Sequence, residues 1–69
     1  MVLVFKTSIS SDHQIAQLQE AIDQELAVSE WNFDLEDCDG IFRVISKEPI
    51  VMAVIDFFKK HGHECEELI

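Results

Sequence analysis

The stretch FKTSISSDHQIAQL, residues 5–18, changes from strand-like to helix-like sequence within a few residues. Before it, residues 2–7 are rich in β-branched and aromatic side chains, which favour a strand. Alternation along that strand predicts Leu3 and Phe5 on one side, with Val2, Val4 and Lys6 on the other. The chain therefore begins with a strand that leads directly into a helix, and the remaining elements are arranged around this turn.

The helix after the turn has a clear predicted start. Ser11 and Gln14 have the Ser-x-x-Gln spacing of a capping box, which places the N-terminus of the helix at Ser11. Apolar side chains at three- and four-residue steps then form one stripe, made by Ile15, Leu18, Ile22 and Leu26. These features predict an amphipathic helix that runs to about Leu26.

Residues 28–38 alternate, with Trp31, Phe33 and Leu35 on one side, and predict a second strand. Asp39-Gly40 after it is a strong signal for a two-residue hairpin, because both central positions of a type I′ turn need positive φ. A third strand, 41–47, then pairs Leu35 with Val44 and Glu36 with Arg43.

A second helix is predicted, in which Pro49 occupies the first position and residues 50–61 follow. Gly62 then lies just after its end. Its expected core stripe comprises Val51, Val54, Ile55 and Phe58, and the apolar residues expected to be partly exposed are Ile50, Met52 and Phe57. Residues 63–69 predict a short final edge strand.

The order βαββαβ predicts an α+β fold, the ferredoxin-like two-layer sandwich, formed by one domain over residues 1–69. Right-handed crossovers give an antiparallel sheet ordered 4-1-3-2 with both helices on one face. Residues 8–13, 38–40 and 61–63 then share one rim of the sheet. Cys38 and Cys65 fall toward opposite edges, beyond disulfide reach, so both thiols are expected to be reduced.

Composition narrows the classes of partner. Five Lys and Arg residues against 14 Asp and Glu residues give a net charge of −9, which disfavours nucleic acid and anionic membranes. The sequence has no apolar run long enough to span a bilayer and no signal-peptide pattern at its start, so a cytoplasmic location is expected. Cations or a basic protein surface are electrostatically suitable partners.

The whole pattern resembles the heavy-metal-associated domain family. The resemblance extends over nearly the whole chain, through the strand VLVFK, the spacing of the first helix, the hairpin and the ending FFKKHGHECEELI. Members carry Met-x-Cys-x-x-Cys in the first turn, where two thiolates bind copper(I) or zinc. The corresponding positions here are Ile9, Ser11 and Gln14, which supply no thiolate. The resemblance thus implies a divergent member without the usual metal site.

Two functions from different classes follow. The first is a non-enzymatic protein-interaction module that uses either its acidic rim or the apolar open face of the sheet. On the open face, Val2, Val4, Ile41 and Ile45 would contact a protein partner or a second copy in a weak homodimer. The second is a metal-binding protein, in which His13, His61 and His63 replace the cysteine pair and bind Zn or Cu. No catalytic set of residues and no cofactor motif is evident, so an enzyme is not expected.

Overall fold

The computed structural model describes residues 1–26, 28, 30–35 and 40–68. Within them the chain forms four strands, two α-helices and one π-helical segment. In chain order these are β1 Val2–Thr7, α1 Asp12–Ala21, the π-helical segment Ile22–Leu26, β2 Glu30–Asp34, β3 Gly40–Ile45, α2 Val51–Lys60 and β4 Cys65–Leu68.

The four strands form one antiparallel sheet in the order β2-β3-β1-β4. This is the order predicted from the sequence, counted from the opposite edge. The prediction of a small α+β fold with two helices and a four-stranded antiparallel sheet is therefore confirmed. β2 and β4 are the edge strands, and β1 lies in the interior beside β3.

One face of the sheet is buried by the helices. Side chains of β1 and β3 alternate between buried and accessible, as their sequences predict. The core contains Leu3, Phe5, Ile9, Phe42 and Val44 from the sheet and first turn, and Leu18, Ile22, Val54, Phe57 and Phe58 from the helices. Because both helices contribute to this single cluster, they lie on the same face of the sheet. Full burial of each Phe stabilises the fold by about 2 kcal/mol.

The predicted pairing of β2 with β3 is wrong by four residues. Phe33 lies opposite Phe42, and Asn32, not Glu36, lies opposite Arg43. This register stacks Phe33 on Phe42, with ring centroids 4.9 Å apart, whereas the predicted register would set Phe33 against Ser46. Aromatic packing thus outweighs the turn preference of Asp39-Gly40. Asp39 and Glu36 themselves lie outside the described residues.

The start of α1 is as predicted, and its end differs. Ser11 is the N-cap, and its hydroxyl accepts a hydrogen bond from the Gln14 amide at 3.2 Å. The helical conformation reaches Leu26, but the last five residues are wound as a π-helix. Within that segment, Asp23 accepts a hydrogen bond from the Trp31 indole at 3.0 Å.

The second helix begins later than predicted, because Pro49 precedes it and Ile50 is the N-cap. The Ser46 hydroxyl donates to the Glu48 carbonyl and accepts from the Glu48 amide, which holds a turn before the helix. Phe57, expected to be partly exposed, is buried because it packs edge-on against Phe58, with ring centroids 5.3 Å apart.

The end of α2 follows the prediction. Gly62 has a φ of +84°. The His63 amide donates to the Phe58 carbonyl at 2.8 Å, and the Gly62 amide donates to the Lys59 carbonyl at 3.1 Å. This pair of bonds is a Schellman motif, which glycine favours because it adopts positive φ without steric cost. The chain then enters β4, Cys65–Leu68.

Candidate functional site

The turn between β1 and α1 is held by a buried hydroxyl. Thr7 is buried, and its Oγ1 donates to the Gly40 carbonyl at 2.7 Å and accepts from the Ile9 amide at 3.2 Å. The Ile9 carbonyl in turn lies against the α-carbon of Gly40, where a β-carbon has no room. This contact joins the first turn to the start of β3, as the predicted shared rim requires.

Ser11 and Gln14, the two positions at which the resemblance would place cysteines, are engaged in helix capping. The Ser11 hydroxyl accepts from the Gln14 amide, and the Gln14 side-chain oxygen accepts from the Ser10 amide at 2.7 Å. In a capping box the Gln14 side chain would accept from the amide of Ser11, the N-cap residue. Here it accepts from Ser10 instead, so the geometry departs by one residue from the predicted motif. Ile9, which precedes this cap, is buried in the core.

The same rim also contacts the segment before β4. The Ser8 amide donates to the Glu64 carbonyl at 3.1 Å, and the Glu64 amide donates to the Ser8 hydroxyl at 2.9 Å. The rim predicted from residues 8–13 and 61–63 is therefore present. Its third predicted part includes Cys38, which lies outside the described residues.

The three histidines predicted to bind metal have separate surroundings. His13 is exposed on α1, and its Nε2 lies 3.2 Å from the side-chain nitrogen of Gln17. His61 contacts the Glu25 carboxylate at 3.2 Å and packs on the Phe57 ring, with centroids 4.6 Å apart. His63 lines a shallow groove beside β4.

The structure does not assemble a metal centre from these side chains. Among the described residues, no three His, Cys, Asp or Glu side chains are placed to hold one metal ion. Glu25, which contacts His61, also accepts a hydrogen bond from the Lys60 ammonium at 2.7 Å. The Lys60 and His61 hydrogen bonds lower the pKa of Glu25, so they favour its charged form. A zinc or copper site at His13, His61 and His63 stays a prediction.

Cys65 lies in the groove beside β4, which has a volume of about 750 Å³ and is bordered by Ile55 and Lys59 of α2. Its thiol is free and half-buried. Burial raises the pKa of this thiol to about 11, because the thiolate is poorly solvated there. At neutral pH the group is therefore a protonated thiol of low nucleophilicity.

The open face of the sheet carries a connected group of aliphatic side chains. The four predicted positions lie on this face, since Val2 pairs with Ile45 and Val4 with Arg43, while Ile41 pairs with Lys6. Val2 is 61% and Ile45 47% exposed, whereas Val4 and Ile41 are partly buried. Leu68 of β4, which was not among the predicted positions, pairs with Val4 and is 39% exposed. We call Val2, Val4, Ile41, Ile45 and Leu68 the open-face patch.

Charge is divided unevenly along the chain. Residues 7–42 contain nine of the Asp and Glu residues and no Lys or Arg, whereas the rest of the chain contains five of each kind. The net charge of −9 thus comes entirely from residues 7–42. In the fold these residues form α1, the π-helical segment, β2 and the beginning of β3. Counting charge by element, rather than over the whole chain, would have revealed this acidic segment from the sequence.

Neither α-helix within the described residues has the length and apolar character needed to cross a bilayer. Compared with protein-family models, with curated proteins and with solved structures, the chain has no significant match.

Proposed function

We propose that this protein is a non-enzymatic interaction module with a ferredoxin-like, heavy-metal-associated-like fold that has no thiolate metal site. It binds another protein through the open-face patch. The element order and the strand order support this choice of fold. The capping contacts of Ser11 and Gln14 support a structural role for the turn in which the family binds metal.

The observation that carries the proposal is the exposure of neighbouring aliphatic side chains on one sheet face. Val2 and Ile45 are directly paired across β1 and β3, and Leu68 adjoins Val4. Contiguous exposed aliphatic groups of this kind are typical of binding surfaces, whereas single exposed residues are ordinary. Arg43 lies among these aliphatic residues, and its side chain adds a polar group to the surface that a partner would contact.

The partner is a different protein rather than a second copy. Each copy has a net charge of −9, so two copies repel one another at low ionic strength. A partner with a positively charged surface around an apolar centre would satisfy both the charge and the patch. No nucleic acid is proposed as a partner, for the same electrostatic reason.

The test uses a photo-crosslinking amino acid placed at Ile45, with the same substitution at Met52 as a control. Met52 is a similarly large and exposed apolar residue, but it lies on α2. We expect one partner to crosslink from position 45 and not from 52. The purified partner should then bind the Val2→Thr/Ile45→Thr variant roughly tenfold more weakly, and Met52→Gln unchanged.

Threonine keeps the β-propensity of these strand positions, so the variant should stay folded. Equal crosslinking from both positions would contradict the proposal. So would self-association in a sedimentation concentration series that the Val2→Thr/Ile45→Thr variant abolishes, because the patch would then be a homodimer interface.

A further inference from the structure

The outer edge of β2 combines three features: an unpaired strand edge, alternating acidic side chains and half-buried aromatic rings. In the described sheet, β2 pairs with β3 on one side and has no strand on the other. Glu30, Asn32 and Asp34 lie on the open face, while Trp31 and Phe33 lie on the core face. Both rings remain partly accessible because β2 is an edge strand.

We propose that this edge binds an extended basic segment of a partner protein by strand addition. Main-chain hydrogen bonds to the free edge provide affinity in this mode, and alternate side chains provide specificity. The segment would place Lys or Arg opposite Glu30 and Asp34, and apolar side chains beside Trp31 and Phe33. This edge adjoins the open-face patch, since Glu30 pairs with Ile45, but binding at the edge does not require the patch.

The first argument is charge complementarity. β2 belongs to residues 7–42, which contain nine acidic residues and no Lys or Arg. Cations from elsewhere in the chain already contact this acidic segment: Arg43 donates to Asp34 at 3.4 Å, and Lys60 to Glu25 at 2.7 Å. A basic segment arriving at β2 would extend this pattern to the outer side of the strand.

The second argument is that the same side chains oppose pairing with a second copy. In the fully overlapping antiparallel register, Asn32 would face its equivalent, and Glu30 would face Asp34 of the other copy. Cross-strand neighbours lie about 5 Å apart, so like charges directly opposite destabilise the pair. Acidic side chains on an edge strand are a common guard against self-association, and they leave a basic strand as the complementary occupant.

The third argument concerns the aromatic residues. Trp31 is fixed by the bond from its indole nitrogen to Asp23, and it packs edge-on against Phe33, with ring centroids 5.9 Å apart. The rings therefore present a preformed apolar surface at the edge. An apolar side chain on an added strand would cover the part of each ring that β3 and the helices leave accessible.

The test is an NMR titration of the full chain with a synthetic peptide of about nine alternating Lys and Val residues, a length typical of strands. A Lys-Gly peptide of equal charge is the control for attraction without strand formation, because Gly disfavours strands. We expect amide shifts to centre on residues 30–34 and affinity to fall with added salt. Binding of both peptides with equal affinity would overturn the proposal.

Two N-methylated forms of the Lys-Val peptide test the main-chain bonds. One form carries methyl groups on the odd-numbered amides and the other on the even-numbered amides. Only one of these sets faces β2 in an added strand, so one form should lose binding and the other should keep it. Equal affinity of the two forms, or shifts centred on β4, would exclude strand addition at β2.

Protein variants localise the charge contact. Glu30→Lys reverses a charge on β2, and Asp56→Lys makes the same change in net charge on the exposed face of α2. We expect at least about a tenfold loss of affinity for Glu30→Lys and little change for Asp56→Lys. Equal losses would show that only net charge matters. Loss in Val2→Thr/Ile45→Thr instead would assign the peptide to the open-face patch and overturn the inference.

Discussion

The carbonyl oxygen of Ile9 occupies the space that a β-carbon on Gly40 would need. Ile9 belongs to the turn after β1, and Gly40 begins β3, so this contact fixes how closely the turn approaches the neighbouring strand. Thr7 spans the same junction with two hydrogen bonds, one to each of these residues. The first turn is therefore positioned by packing against backbone, and its polar atoms are used internally.

Replacing Gly40 by Ala should destabilise the fold by about 3 kcal/mol, because the added β-carbon meets the Ile9 carbonyl and the Thr7 hydroxyl, and backbone must shift to make room. The control is Gly62→Ala, which meets no atom within 4 Å and bears only the strain of positive φ, about 1 kcal/mol. Urea unfolding of both variants measures the difference. Equal losses would mean that the Ile9 carbonyl does not limit the space at Gly40.

Replacing Thr7 by Val should cost about 2 kcal/mol, although the two side chains have nearly the same shape. The change leaves the Gly40 carbonyl and the Ile9 amide without their buried partner. Thr7→Ser keeps the hydroxyl and loses only a methyl group, so it should cost about 1 kcal/mol. If thermal unfolding shows that the Thr7→Val variant is more stable than Thr7→Ser, the hydrogen bonds of the Thr7 hydroxyl do not stabilise the fold.

Cys65 should react slowly with iodoacetamide in the native protein. With a pKa of about 11 rather than 9.0, its thiolate fraction at about pH 8 is roughly a hundredfold below that of an ordinary thiol. The measurement uses a Cys38→Ser variant, so that a single thiol is followed, with the urea-unfolded chain as control. Native and unfolded rates that agree within a factor of two would refute the burial effect.

Stability should also depend on pH through this thiol. The folded-state pKa lies above the unfolded value, so the unfolded chain releases the proton first as pH rises. Stability is therefore unaffected well below pH 9.0 and falls between 9.0 and about 11. Cys65→Ala should reduce that fall in unfolding experiments, whereas an unchanged pH profile would show that another group is responsible.

Metal titration addresses the histidines. We expect no saturable heat with Zn²⁺, Cu²⁺ or Cu⁺ at micromolar concentrations, since His61 is bonded to Glu25 and the described residues form no three-ligand group. The check is isothermal titration followed by NMR of the imidazole signals. Saturable NMR shifts at His13, His61 and His63 together would instead support the metal-binding function predicted from the sequence.

Local signals in the sequence located the first turn well. The side chain of Ser11 caps the helix because a hydroxyl next to free amides has few alternatives, and this depends only on nearby residues. Gly62 ended the second helix for a similar reason. The alternation in β1 and β3 identified the buried face, because side-chain direction in a strand follows directly from sequence position.

Features that depend on distant contacts were not predictable in the same way. The β2–β3 register follows from packing of Phe33 on Phe42, which competes with the turn preference of Asp39-Gly40. Phe57 lies outside the apolar stripe predicted for α2, and it is buried because it joins the core cluster that includes Leu18 and Ile22.

The four-residue displacement of β2 has a consequence for sequence change in the β2–β3 connection. Because four is even, Trp31 and Phe33 kept the face that alternation assigned to them, although every cross-strand partner changed. Packing, and not the length of the connection, should therefore set the register. An inserted or deleted residue should be absorbed within the connection, because a one-residue slip of β2 would turn Glu30 and Asp34 toward the core.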